Sequence, residues 1–495
     1  MADIKSAQLF LHDLPKSDAL KALHELTTWI ESVREHQDFR LDQQLEVLRL
    51  LDETARPYER KLTRDYFADK SLTRFHENRL WVALNDFFLQ VAQAYLNVQM
   101  RYRNGDKGSA VIQSSLPLVT ARSISALTGR LKCAAARYAL PDQTIWGSLA
   151  ELYAYAEAQK YLDQPVTLYA GLGLSTSVRY EFASLLMWYA SGASTLNPLQ
   201  VHLAERLTSH FCRNFTVSAQ NEPGSIFSFD LEHPAPPMRV TADLKLQPGM
   251  RFLAAGSVQT HIQALLGIVK KGVVPETINL GGVFDADAVR EVVRHFSVFW
   301  GSDLPMRRAA RHKVLVKVHV AIGFSGVLEK ADTDLNQGAD TSEHWTVEDI
   351  SISGMRCVLP SARVSDAAIG SLIGTRPERG EHWGAGIVRR LSRDKQNNLH
   401  VGIQLLGNHV IGVSVREHGV SGEQRAVLLN NANDDSGEVT LLMNAAAFSE
   451  NSSLHVKLSD KNYLLMPLAL LEKGVDYDLA RYRMIEEDVG AEETH

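Results

Sequence analysis

The chain has 495 residues, of which 45% are hydrophobic and 22% charged, and a formal net charge of −6. That length is too great for one hydrophobic core and predicts roughly three domains. The composition is that of a soluble globular protein, and the negative balance excludes a global drive toward nucleic acid or acidic membrane.

The opening stretch "MADIKSAQLFLHDLPKSD" lacks a basic segment followed by a long apolar run, so no signal peptide is expected. No uncharged stretch reaches the roughly 20 residues a membrane span needs. Cys133, Cys212 and Cys357 stand apart, with no C-x-x-C. Isolated reduced thiols are expected, rather than a disulfide framework or a cysteine zinc site. These features together predict a cytoplasmic protein.

The fold class expected is multidomain α+β: a large N-terminal all-α domain, then a β-barrel, then a further strand-rich unit. Residues 1–215 read as helix after helix. In "SDALKALHELTTWIESVREH", Ser17 is the expected cap, and Leu20, Leu23, Leu26 and Ile30 recur at helical spacing. Pro57 is expected to break or kink the next helix, and the following one should end near Asn104-Gly105. No repeat of fixed period is discernible. "GLGLSTS" from Gly171 lacks the third glycine of a dinucleotide loop and follows no clear strand.

Residues 216–304 read as a small mixed region that completes or caps the helical domain. Short strands and turns come first, then helices around 258–271 and 285–299. From Lys313 onward strands dominate. "KVLVKVHVAIGF" places Val314, Val316, Val318 and Val320 on one face, and "LHVGIQLLG" places Val401, Ile403 and Leu405 on one face. The strands are too many for one small six-stranded barrel. They are divided here into a barrel over 305–407 and a second strand-rich unit over 408–486. The acidic tail 487–495 is expected to be disordered.

Chemistry concentrates at two places. "PMRRAARHK" carries Arg307, Arg308 and Arg311 just before the first of these strands. Arginine's planar fork makes paired charge-assisted bonds to phosphate, stacks on bases and donates to guanine O6 and N7. "WTVEDISISGMRCVLP" puts Asp349, Ser351 and Ser353 on one face of a strand and Ile350 and Ile352 on the other, an oily face suited to a core. A carboxylate accepts from a base's N–H edge, a serine hydroxyl both donates and accepts, and Gly354 permits close backbone approach.

The order R-x-x-x-R (Arg307, Arg311), then D-x-S-x-x-G (Asp349, Ser351, Gly354), resembles the PilZ domain, a small β-barrel that binds cyclic di-GMP. "HWGAGIVRRLS" and "HVGIQLLG" are similar to its closing strands. The resemblance covers roughly residues 305–407. It implies a bacterial second-messenger receptor in which Arg307 and Arg311, with Arg308, clamp phosphates and guanine faces. Asp349 and Ser351 hold guanine edges, and Gly354 gives room. No cofactor beyond this ligand is expected, and a relay to a protein partner through the helical domain is the expected output. One departure from the family is "GFSGVLEKADTDLNQGADTSEH", which is longer than the usual connection and reads as a flexible inserted loop.

Other conspicuous residues have plainer readings. Arg356 and Arg389 read as structural, Ser353 as a surface hydroxyl, and Trp345 and Trp383 as core or rim fillers rather than stacking platforms. His344 and His382 lack ligand-like spacing, so no metal site is expected. No nucleophile, phosphate-loop or cyclase-like motif is found, so a binder is expected rather than an enzyme. The alternative from another class is a PilZ-like scaffold that has lost its ligand and acts as a protein-interaction adaptor.

Overall fold

A computed structural model describes residues 4–36, 38–69, 71–170, 175–301, 310–332, 342–361, 366–417, 422–429, 437–458 and 460–487. The chain divides into two compact units, Met1–Pro305 and Met306–His495.

Among the described residues the first unit opens with the helices α1 (Ile4–His12), α2 (Ala19–Glu35), α3 (Leu41–Ala68), α4 (Arg74–Arg103), α5 (Ser109–Ile112), α6 (Leu116–Ala136), α7 (Thr144–Ala158), α8 (Val178–Ala190) and α9 (Pro198–Phe211). Local chemistry sets their ends. Asp18, not Ser17, caps α2 by accepting from the Lys21 amide at 3.1 Å. Asn197 and Gln200 form a reciprocal capping box on α9, with Pro198 at its first turn. Of the expected break or kink at Pro57 there is no break, and α3 runs through it. Leu51 and Ala55 before it and Leu62 and Tyr66 after it are buried, and this packing offsets the lost bond. The glycine-bearing stretch 171–174 lies outside the described residues, and Ser177 just after it caps α8.

A buried polar knot ties α3, α4 and α6. Asp52 accepts from the hydroxyls of Tyr95 at 2.8 Å and Tyr169 at 3.0 Å. Arg122 donates to the Tyr95 hydroxyl at 2.9 Å and to Glu53 at 2.6 Å. Each member has partners, which is what makes such a group tolerable in an apolar interior.

Strands β1 (Thr216–Ser218), β2 (Ser225–Asp230), β3 (Met238–Arg239) and β4 (Met250–Ala254) form a sheet in the order β1-β4-β2-β3, followed by α10 (Val258–Val269) and α11 (Ala286–Phe299). This region shares the hydrophobic core of the helices. Phe229 packs on Trp146 and Phe182, and Trp300 donates its indole N–H to the Met187 carbonyl at 3.2 Å.

The second unit holds two closed six-stranded barrels. The first comprises β5 (His312–Ile322), β6 (Glu343–Ser351), β7 (Gly354–Leu359), β8 (Leu372–Pro377), β9 (Gly384–Arg393) and β10 (Leu399–Gly407), ordered β10-β7-β6-β5-β8-β9. The second comprises β11 (Val410–Glu417), β12 (Gln424–Leu429), β13 (Glu438–Asn444), β14 (Leu454–Leu458), β15 (Lys461–Lys473) and β16 (Tyr477–Glu486), ordered β11-β12-β13-β16-β15-β14. The fold is thus mixed α+β and multidomain, with the strand-rich C-terminal region itself a closed barrel.

The insertion expected as a flexible loop begins as a helix, α12 (Gly323–Ala331). Phe324, Val327 and Ala331 are buried in a core shared by both barrels, with Leu372, Trp383 and Ile387 from one and Val427, Leu442 and Tyr477 from the other. Asp476 of the second barrel accepts from the Phe324 amide at 2.6 Å, an anion on the helix N-terminus. Gly323 makes the corner at φ +80°, where a side chain would crowd the Asp476 carboxylate. Residues 333–341 of the insertion lie outside the described residues, as does the tail from 488, and Glu343 and His344 at the insertion's end open β6. Glu487, assigned to the tail, instead donates its amide to Asn462 at 2.9 Å.

Candidate functional site

The valine face expected of β5 holds only in part. Val318 and Val320 are buried, but Val314 is only half-buried and Val316 is exposed, where a register shift between Lys313 and Val316 interrupts the pairing with β6. Arg311 sits just before this stretch.

A second irregularity builds the site. On β6, Val347 pairs with Cys357, then Asp349 pairs with Arg356, so Glu348 is an extra residue. Cross-strand partners share a face. The bulge therefore moves odd-numbered residues from the barrel interior, where Trp345 and Val347 are buried, to the outer face, where Asp349 and Ser351 stand. Ile350 shares the inner side with buried Met355 but is 37% exposed, and Ile352 in the turn is 95% exposed. The oily face does not enter the core as expected, because the strand reaches the end of the barrel there.

Pairing extends this outer row across four strands. Asp349 on β6 lies beside Arg356 on β7, Arg356 beside Gly402 on β10, and Gly402 beside Arg390 on β9. The row forms one wall of a cavity of about 500 Å³, lined also by Arg311, Ser351, Ser353, Gly354, Arg389, Ser392, His400, Ile403 and Gln404. The structure brings Arg311, Asp349, Ser351 and Gly354 together. Arg307 and Arg308 lie outside the described residues.

Arg311 Nη1 donates to Asp349 Oδ1 at 2.6 Å, joining the arm to the strand end. This uses one of the guanidinium's five N–H groups and leaves the others for a ligand. The Ser351 hydroxyl lies 3.1 Å from the Gly354 carbonyl and donates to it across the two-residue turn, leaving its lone pairs to accept. A Cβ on Gly354 would fall 2.7 Å from the Ile403 carbonyl oxygen of β10, so only glycine lets the two strands meet here.

The two arginines read as structural do hold structure, and both also line the cavity. Arg356 pairs with the bulged Glu348 at 3.0 Å and touches His400 Nδ1 at 3.0 Å. His400, mostly buried, lies between Glu348 at 2.9 Å and Asp394 at 3.2 Å. The Asp394 carboxyl is held down at about 2, chiefly by the Asn398 side-chain amide. Arg389 reaches out of the first barrel to Glu472 on β15. Trp345 and Trp383 are 1% and 4% exposed and belong to the core, so neither stacks on a ligand. Cys357 is also interior, and burial pushes its thiol up to about 12. Among the described residues, no group of three or more His, Cys, Asp or Glu side chains is placed to hold a metal ion.

Sequence reasoning missed Arg390, His400, Gly402 and Gln404. The signal was present: in "LHVGIQLLG" the alternation that buries Val401 and Ile403 must turn His400, Gly402 and Gln404 the other way.

The molecule thus combines a helical unit with a double barrel that carries a cationic cavity. Residues 5–222 are similar to a known family, the N-terminal domain of the cyclic-di-GMP receptor FimW. The match ends just after β1 and lies wholly within the first unit. No curated protein matches the chain. Among the described residues, no helix is long and apolar enough to cross a membrane.

Proposed function

We propose that the protein is a cytoplasmic receptor for cyclic di-GMP and not an enzyme, with the first barrel acting as a PilZ-type binding module. The observation that carries the reading is the Arg311–Asp349 pair, which sets a guanidinium beside the end of β6 in the lining of the cavity. The similarity of residues 5–222 to the FimW receptor domain supports it from the other unit. In this reading Arg307, Arg308 and Arg311 clamp phosphates and guanine faces, and Asp349 and Ser351 take the guanine N–H edge. Gly354 keeps the strand end free of a side chain. Binding holds the arm against the barrel, and the helical unit passes this change on to a protein partner as a shift between pre-existing states.

A second reading, a scaffold without ligand, draws on the same pair: Arg311 and Asp349 already satisfy one another. Calorimetric titration of the full chain with cyclic di-GMP, with GTP and cyclic GMP as controls, separates the two. Saturable heat with the cyclic dinucleotide alone is the receptor's result, and no heat at high ligand is the scaffold's.

A further inference from the structure

Arg389 belongs to the wall of the cavity, yet its strongest bonds leave the first barrel. Its Nη1 donates to Glu472 Oε1 at 2.7 Å, its Nη2 donates to Glu472 Oε2, and its Nε donates to Gln404 at 2.8 Å. A fork–fork pair of this kind fixes the guanidinium plane as well as its position. Glu472 is itself held, since the Tyr477 hydroxyl donates to Oε1 at 3.1 Å. Tyr477 is fully buried in the core common to the two barrels. The chain of contacts therefore runs from the shared core, through a carboxylate of the second barrel, to a cation that borders the cavity of the first.

Three of the five Arg389 N–H groups already donate within the guanidinium plane, and none of these bonds occupies its flat face. A guanidinium held rigid in its plane is suited to stack on a purine base, with little freedom left to lose on binding. We infer that Arg389 is a base-stacking residue of the ligand site and that Glu472 is its positioning residue, so that the second barrel forms part of the receptor site. This rests on the cyclic di-GMP reading above.

The test is calorimetry on the full chain with cyclic di-GMP, using Arg389→Ala, Arg389→Lys, Glu472→Ala, Glu472→Gln and the double variant R389A/E472A. Lysine keeps the charge and loses the plane, so both Arg389 variants should weaken binding by about tenfold, the scale of one stacked base. Glu472→Gln keeps the shape and an acceptor for Tyr477, but turns an amide N–H₂ toward one guanidinium nitrogen, and should weaken binding severalfold. The readout that separates positioning from general damage is non-additivity: Glu472→Ala should cost nothing further once Arg389 is alanine. If the unaltered chain binds and the Arg389 and Glu472 variants bind equally well, the inference is overturned while the receptor reading stands. An additive double variant overturns the positioning role. An unaltered chain that shows no binding overturns the receptor reading and this inference with it.

Discussion

Arg356 and Arg390 stand in one row of the first barrel, on strands that both border β10, with only Gly402 between them. The missing side chain at Gly402 keeps the floor of the cavity open. A Cβ there would meet the Arg390 Cβ at 3.1 Å, a cross-strand contact that a strand shift of a few tenths of an ångström relieves. Gly354 differs, because its added Cβ would strike the Ile403 backbone. Gly402→Val should therefore weaken cyclic di-GMP binding by about tenfold with a change in stability within about 1 kcal/mol, since valine suits a strand. Gly354→Ala should instead cost about 1–3 kcal/mol of stability by crowding. Urea denaturation beside calorimetry distinguishes the two glycines.

Arg307→Ala and Arg311→Ala should each weaken binding by about tenfold or more, since each removes charge-assisted bonds to the ligand. Asp349→Ala should also weaken binding and leave the circular dichroism spectrum unchanged. Unaltered titration curves for both arginine variants would remove the arm from the site, and a collapsed spectrum for the aspartate variant would make Asp349 a structural residue.

Phe324 is 2% exposed at the meeting of the two barrels. Phe324→Ala should cost about 3–5 kcal/mol and lower the melting of both barrels together, because the cavity it leaves belongs to both. Retention of a high, unchanged transition for either barrel, followed by hydrogen exchange, would mean that their cores are independent.

Acid should weaken the helical unit. Lys132 Nζ lies 2.8 Å from His202 Nδ1 and donates to it, so the ring proton sits on Nε2, which points to the Leu280 carbonyl at 3.2 Å. Burial, aided by the Lys132 charge, holds His202 down at about 3, and burial holds His295 at about 4. Both histidines bind a proton near 6.5 once unfolded. Between about 6.5 and 4 the unfolded chain binds more protons, so stability falls as pH falls. Glu181, pushed up to about 7 by burial, acts in the opposite sense between about 4.5 and 7 and offsets one of the two. His210, also held down by burial, adds to the loss, so stability should fall by at least about 1 kcal/mol per pH unit. Thermal melts from pH 7 to pH 4.5 measure it, and a melting temperature constant over that range would contradict it.

The first barrel, the strand-rich character of 408–486 and the order of the motifs were legible because strand alternation and the spacing of arginines, aspartate, serine and glycine are local patterns, whereas closure of the second barrel was not. The outer-face row was only half legible. Asp349 and Ser351 could be placed on a common face, but the extra residue at Glu348 has no local signature, so nothing told which face was the core. Helix α12 did carry a signal in Phe324, Val327, Leu328 and Ala331, spaced i, i+3, i+4, i+7. The glycines and acidic residues around it masked that pattern. Arg389 and Glu472 are 83 positions apart, and a pairing at that distance exists only once both barrels have formed.

Closure of the two sheets bears on how the protein behaves at high concentration. Strand edges are templates on which other chains can add, and a barrel that joins its first strand to its last presents none along its wall. Both six-stranded sheets are closed in this way. Within the described residues, the open sheet is the four-stranded one, and its borders are β1 with three residues and β3 with two. Among the described residues, the sheets therefore offer a neighbouring copy very little exposed strand edge on which to zip.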